Sequence, residues 1–201
     1  MSTQPSQMIQ SPKPDLFLES RDLGLLTPEL FEKVEILRTL CEGNGVKLVV
    51  GTTLRGPGAQ AKIWCRSRTP EEVLRQRAVL AQSAPKLANL LKPEYAALGP
   101  QITAYLPGQS WHQWGQAADI GALVGGKLVW EGSITRRIAE YARTIGLHHS
   151  LNEQLWSPST RRWHVQLSGK ATPLLVRGFM DSWAELERAM ETMFEVPLAD
   201  D

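Results

Sequence analysis

The sequence predicts an α+β domain in which helices come first and a small, mainly antiparallel sheet packed with helices follows. Three observations predict it. Apolar residues up to Leu91 recur at helical spacing; from Ile102 onward the pattern shortens to strand-length runs between turns; and 201 residues suit one domain with a small appended lobe.

Residues 1–15 are rich in Ser, Gln and Pro and read as a flexible tail. A helix is expected over 28–43, with Thr27 as its cap and Pro28 in the first helical position. Leu30, Val34, Leu37 and Cys41 follow at spacings of four, three and four, which gives one buried face. Gly43-Asn44-Gly45 ends this helix, and Val46 to Thr53 reads as a strand. A loop with Arg55, Gly56, Pro57 and Gly58 leads to a short helix around 59–67. Thr69-Pro70-Glu71-Glu72 is a capping box with proline at the first position, and its helix runs until Pro85, with a further piece to Leu91.

The strands predicted next are Ile102–Leu106, Gln116–Leu123 and Lys127–Trp130, the last two joined by a hairpin turn at Val124-Gly125-Gly126-Lys127. A helix at 134–145 closes with Gly146, and a long irregular loop covers His148 to Arg161. In the strand Arg162–Leu167, Trp163, Val165 and Leu167 alternate with His164 and Gln166. Thr172-Pro173 opens a final helix that runs, with a break near Gly178, towards Phe194. The expected division is a tail at 1–15, a domain at 16–170 and a C-terminal helical extension at 171–201.

A formal net charge of +1 gives no electrostatic case for nucleic acid or an anionic membrane as partner, and the clusters Arg66–Arg68 and Arg161–Arg162 are short. The cysteines, Cys41 and Cys65, form no metal-type pair, and Cys41 lies on an apolar helix stripe as a small buried hydrophobe would. The N-terminus lacks a basic start followed by an apolar run, and no apolar stretch approaches the roughly 18 residues that span a bilayer. The expectation is a monomer made in the cytoplasm without a signal peptide and without membrane insertion.

Chemistry concentrates in two places. In Ser110-Trp111-His112-Gln113-Trp114-Gly115-Gln116-Ala117-Ala118-Asp119-Ile120, Asp119 lies in a strand of Ala, Ile and Gly, where a carboxylate is costly to bury unless paired or bound to metal. Gly115 lets the chain turn, so that His112 can reach back towards Asp119. The second place is Arg162-Trp163-His164-Val165-Gln166-Leu167, where His164 faces away from the apolar side. If the two strands are neighbours, His112, Asp119 and His164 supply two imidazoles and a carboxylate, the set that holds a catalytic zinc and leaves a fourth position for water. The bland alternative is a hydrogen-bonded histidine and a capping aspartate with no connection between them.

The motif Ser110-x-His112-x-x-Gly115-x-Ala117-x-Asp119-Ile120 resembles the signature of the zinc D-alanyl-D-alanine carboxypeptidase and L-alanyl-D-glutamate endopeptidase family. That family includes vancomycin-resistance dipeptidases and phage endolysins, and its fold is shared by the hedgehog signalling domain. Gly51-Thr52-Thr53-Leu54-Arg55 with Gln60 upstream, and Trp163-His164-Val165-Gln166-Leu167 downstream, are similar to the family's flanking elements, so the resemblance covers roughly residues 30–168. It implies Zn2+ on His112, Asp119 and His164 and peptidoglycan stem peptide as substrate. It also implies that Arg55 holds a substrate carbonyl or carboxylate, that Ser110 contacts substrate, and that Gln60 supports the site from behind. Trp111, Trp114 and Trp156 are read either as carbohydrate contacts or as wall.

The pattern breaks at one position. The family carries Glu or Asp three residues before its last histidine ligand, and here that residue is Arg161, a guanidinium that stays protonated and cannot act as base. Either Glu153, or a histidine of the preceding loop such as His149 or His148, takes the role, or the chain keeps its zinc as a non-catalytic module that binds cell-wall peptide or a protein, with Arg161 gripping an acidic ligand. The absence of a leader fits a protein that reaches the cell wall after release or delivery.

Overall fold

The computed structural model describes residues 13–130, 132–150, 163–167, 169, 172–175 and 180–194. Among them, helices α1 (Pro28–Gly43), α2 (Pro57–Cys65), α3 (Pro70–Ala81), α4 (Pro85–Asn89), α5 (Ser133–Thr144) and α6 (Trp183–Met193) accompany a five-stranded antiparallel sheet. Its strands are β1 (Lys47–Val50), β2 (Ala117–Val124), β3 (Lys127–Val129), β4 (His148–His149) and β5 (His164–Gln166). They run in the order β1-β2-β5-β4, with β3 paired to β2 as a hairpin. No described helix is long and apolar enough to cross a membrane.

The first helix begins and ends where expected, and its buried residues are Leu30, Val34, Leu37 and Cys41. Thr27 occupies the cap position, but its hydroxyl makes no capping bond; Pro28 has no N–H to offer, and the backbone N–H of Thr27 is held by the Gly115 carbonyl at 2.9 Å. The capping box at α3 forms as read, with Glu72 N–H donating to Thr69 Oγ1 at 3.2 Å and Thr69 N–H to Glu72 Oε2 at 2.8 Å. The hairpin turn is made by Gly125 and Gly126, both with positive φ.

Three expectations needed correcting. Thr172-Pro173 opens only a short 3-10 turn, Pro173–Leu175, and the final helix starts at Trp183, where Ser182 Oγ accepts the N–H of Glu185 at 3.2 Å. Ile102–Leu106 is not a strand: Thr103 Oγ1 accepts the N–H of Tyr105 and the distant Gln60 amide donates to the Tyr105 carbonyl, so side chains occupy groups a ladder would need. His148 and His149 are not loop residues but a short strand, paired with Gln166 and Val165. The break near Gly178 and the start of the strand at Arg162 fall outside the described residues.

Two apolar clusters sandwich the site. One joins α1, α5 and the back of the sheet through Leu30, Val34, Leu37, Ala118, Ile120, Ala122, Ile138 and Val165. The other joins α2, α3, α4 and α6, with Trp64, Val73, Leu87, Leu186, Met190 and Phe194. The C-terminal helix is thus part of this second core. Glu187 on α6 accepts the N–H of Leu87 in the first turn of α4 at 2.8 Å. Gly108 permits the close approach: a Cβ there would lie 1.7 Å from Leu186 Cδ2.

Candidate metal centre

Side chains alternate along β2, so Ala118, Ile120 and Ala122 enter the core while Asp119 and Gly121 face the other way. Asp119 is opposite His164 on β5. The flanking bonds, Ile120 N–H to the Trp163 carbonyl at 2.6 Å and Leu167 N–H to the Gln116 carbonyl at 3.3 Å, place this couple at a non-hydrogen-bonded position. Cross-strand side chains approach most closely at such positions. Val165, between His164 and Gln166, points into the core.

His112 comes from the helical turn Trp111–Trp114, which ends at Gly115 with φ +63°. No side chain fits at Gly115, because a Cβ would stand 2.8 Å from the Leu25 carbonyl. That turn folds back over β2, as the sequence suggests, and is pinned from two sides. Gln113 Oε1 takes the N–H of Gly108 at 2.6 Å, and the His112 carbonyl takes the N–H of Arg55 at 3.2 Å.

The outcome is a buried triangle of donor atoms. His112 Nε2 and His164 Nδ1 are 3.0 Å apart, and Asp119 Oδ1 is 3.4 Å from the first and 3.5 Å from the second. Zinc bonds of about 2.0–2.1 Å at tetrahedral angles set donor atoms about 3.3 Å apart. His112 Nδ1 lies 3.1 Å from the Thr53 carbonyl, which can only accept, so that nitrogen carries the proton and Nε2 presents its lone pair inward. Three electron-rich atoms at these distances fit a divalent cation, and among the described residues His112, Asp119 and His164 form the cluster with this capacity.

The electrostatics agree. Burial pushes Asp119 towards protonation, yet His112 and His164 more than offset it and hold the carboxyl well below its ordinary value. Burial lowers the pKa of His112, against the pull of Asp119, and the charges of His164 and Arg55 lower it further. A neutral imidazole beside an ionised carboxylate is the ligand state a metal requires.

Arg55 stands beside this cluster. It is almost wholly buried, with Nε on Glu19 Oε1 at 2.9 Å and Nη1 on Gln60 Oε1 at 3.3 Å. Gln60 is fixed in turn by the Tyr105 carbonyl at 2.7 Å. Ser110 is buried at the start of the His112 turn, with its N–H 3.4 Å from Gln113 Oε1. His149 is not one of the three clustered donors: it pairs with Val165 and so shares the core side of the sheet, where burial, with His164 adding to it, pushes its pKa down to about 3. His148, paired with Gln166, shares the face that carries His164. Glu153, Arg161 and Trp156 lie outside the described residues. Trp111 and Trp114 are core residues rather than carbohydrate platforms.

No family model and no curated protein sequence matches the chain. Solved structures that it resembles include peptidases. An L-Ala-D-Glu endopeptidase, ChiX, of Serratia marcescens is 16% identical, with 77% of this chain and 91% of that one aligned at a TM-score of 0.41. A vancomycin-resistance D,D-pentapeptidase, VanY, solved with Zn(II), is 17% identical over 71% of this chain and 73% of its own, at 0.40. The LD-carboxypeptidase LdcB is 15% identical over 98% and 80%, at 0.39.

Sequence reasoning named the three residues that cluster but missed the roles of Thr53, which holds the His112 ring, of Gln113, which pins the His112 turn, and of Glu19, which holds Arg55. The Thr53 contact comes from a backbone carbonyl and leaves no trace in residue type. Gln166, two residues from His164 on one strand face, was visible in the pattern without a role.

Proposed function

We propose that the chain is a zinc-dependent peptidase that hydrolyses a peptide bond in the stem peptides of bacterial peptidoglycan, of the L-Ala-D-Glu or D-Ala-D-Ala type. The observation that carries this is the donor triangle of His112, Asp119 and His164, with edges of 3.0, 3.4 and 3.5 Å, built by a motif similar to that of the zinc peptidases named above. A bound zinc would supply Lewis-acid polarisation of the peptide carbonyl and bring the pKa of water towards neutrality.

The chain's own residues do the rest. Arg55, rigidly held by Glu19 and Gln60, presents a fixed positive charge to a substrate carbonyl or carboxylate, a task suited to a planar guanidinium. Ser110 contacts the substrate from the His112 turn. Glu153 is the general base. It takes a proton from the attacking water and delivers it to the amine that leaves as the C–N bond breaks. Its place in the sequence supports the assignment: Glu153 follows by three residues Ser150, which donates its N–H to the His164 carbonyl at 2.9 Å. Arg161, near the other end of the same segment, binds a free carboxylate of the stem peptide. The protein meets its substrate after release or delivery to the cell wall.

Zinc-loaded protein incubated with peptidoglycan sacculi, with fragments read by mass spectrometry, tests this. New peptide termini are expected from the wild type and not from His164→Ala or Glu153→Ala. Intact sacculi with a zinc-loaded wild type would overturn the peptidase reading, and a wild type that retains no zinc would overturn the metal site.

A further inference from the structure

We propose that Gln166 is a positioning residue that selects which nitrogen of His164 faces the metal; this rests on the zinc reading above. The two imidazoles are held in different ways. For His112 the outer partner is the Thr53 carbonyl, an obligate acceptor, so the backbone alone dictates the tautomer. For His164 the outer partner is a side chain: Nε2 lies 3.0 Å from Gln166 Oε1. An acceptor placed at Nε2 puts the proton there and leaves the Nδ1 lone pair directed at Asp119 Oδ1 and His112 Nε2.

The geometry of the strand supplies this acceptor from the next position on the same face. Residues two apart share a face, so Gln166 stands beside His164 while Val165 between them anchors β5 in the core. Gln166 is itself buried and paired with Ala117 on one side and His148 on the other, so its amide is held in a fixed environment. Were Nδ1 of His164 to carry the proton instead, an N–H would point into the donor triangle, where it could bond Asp119 but not a cation. Gln166 thus biases the empty site towards the form that accepts metal.

The test uses the full chain, stripped of metal, as wild type, Gln166→Leu, Gln166→Glu and His164→Ala. Zinc affinity is measured at fixed pH by competition with a chromophoric chelator, and the imidazole tautomers by long-range proton–nitrogen NMR, tractable with four histidines. Loss of an outer partner of this kind costs roughly 10–100-fold in metal affinity, which is the loss expected for Gln166→Leu. Gln166→Glu, which keeps an acceptor at the same place, restores affinity to within a few fold. In the metal-free wild type His164 carries its proton on Nε2, and in Gln166→Leu the Nδ1–H form gains. Thermal unfolding in chelator separates a folding defect from a metal defect. Should Gln166→Leu unfold, the glutamate variant and the wild-type tautomer decide alone. Unchanged affinity with an unchanged tautomer in Gln166→Leu, or an Nδ1–H wild type, overturns the proposal. A wild type that binds no zinc overturns the metal reading instead, and the tautomer still judges Gln166.

Discussion

Substituting Gly108 by alanine should loosen the whole molecule, because this glycine is where α6 meets the loop that carries His112. An added Cβ would stand 1.7 Å from Leu186 Cδ2, and the residue has φ +87°. Ordinary carbon contact needs about 3.5 Å, so Leu186 or the loop must retreat by about 2 Å. Overpacking of a filled core costs about 1–3 kcal/mol, and left-handed backbone at a residue with Cβ adds about 1–2 kcal/mol, so a total of about 2–5 kcal/mol is expected. For a chain of this size each kcal/mol lowers Tm by about 2–4 °C. Urea unfolding in chelator, followed by Trp fluorescence, reads the loss directly. Leu186→Ala alone should cost about 2–5 kcal/mol through its cavity. In the double variant the two costs should not add, since truncating Leu186 opens the space that the new methyl group at position 108 needs. Strict additivity, or a Gly108→Ala cost below about 1 kcal/mol, would refute the packing account.

Asp119→Asn should remove zinc stabilisation: at free zinc a hundred times Kd the wild type gains about 2.7 kcal/mol over the metal-free form, and this variant should show almost no zinc-dependent shift in a thermal scan. The metal-free wild type should weaken as pH falls below 6.5. The folded state lowers the pKa of His112, and that of His149 to about 3, so the unfolded chain binds more protons in acid; below pH 6.5 His149 alone removes about 1.4 kcal/mol per pH unit, and His112 adds in the same direction. Urea midpoints at pH 7.5, 6 and 5 read that slope; His149→Gln should shed one histidine's share, and a flat profile would contradict it. Asp119 adds to the acid loss only at lower pH: its depressed pKa contributes stability above the ordinary carboxylate value, lost as pH falls through the folded one. Both cysteines are free and buried, with pKa values pushed up to about 11 by burial, so a disulfide-exchange reagent at pH 8 should label neither until denaturant is added.

The features legible in the sequence were those in which one residue type does something costly or forbidden elsewhere. A carboxylate among Ala and Ile, glycines at positive φ, and a Thr-x-x-Glu box each announce a local structure, and the site followed from aligning two such segments. What stayed hidden was long-range or carried by backbone. The strand expected at Ile102–Leu106 was lost because Gln60, more than 40 residues away in sequence, captures the Tyr105 carbonyl. The role of α6 was invisible because its amphipathic pattern says that it packs somewhere, not that it seals α4 with Glu187 and rests on Gly108. Glu19 lies in a segment without periodicity, and only folding brings it to Arg55.

The alternation along β2 couples two properties that could have been independent. Its odd-numbered Asp119 serves the donor triangle while its even-numbered neighbours build the core, so shifting the strand by one residue would exchange the two sets. The misaligned strand would push a carboxylate into the helix-packed interior and turn Ala118 and Ile120 outward, an arrangement that forfeits hydrophobic burial and the donor set together. Folding therefore proofreads the chemistry: a chain that has reached a stable core has, by the same alignment, already set the carboxylate opposite its imidazole. Single-residue insertions within β2 should be rejected as misfolded protein rather than tolerated as folded but inactive protein, which leaves this family of variants little room for a stable, metal-free intermediate.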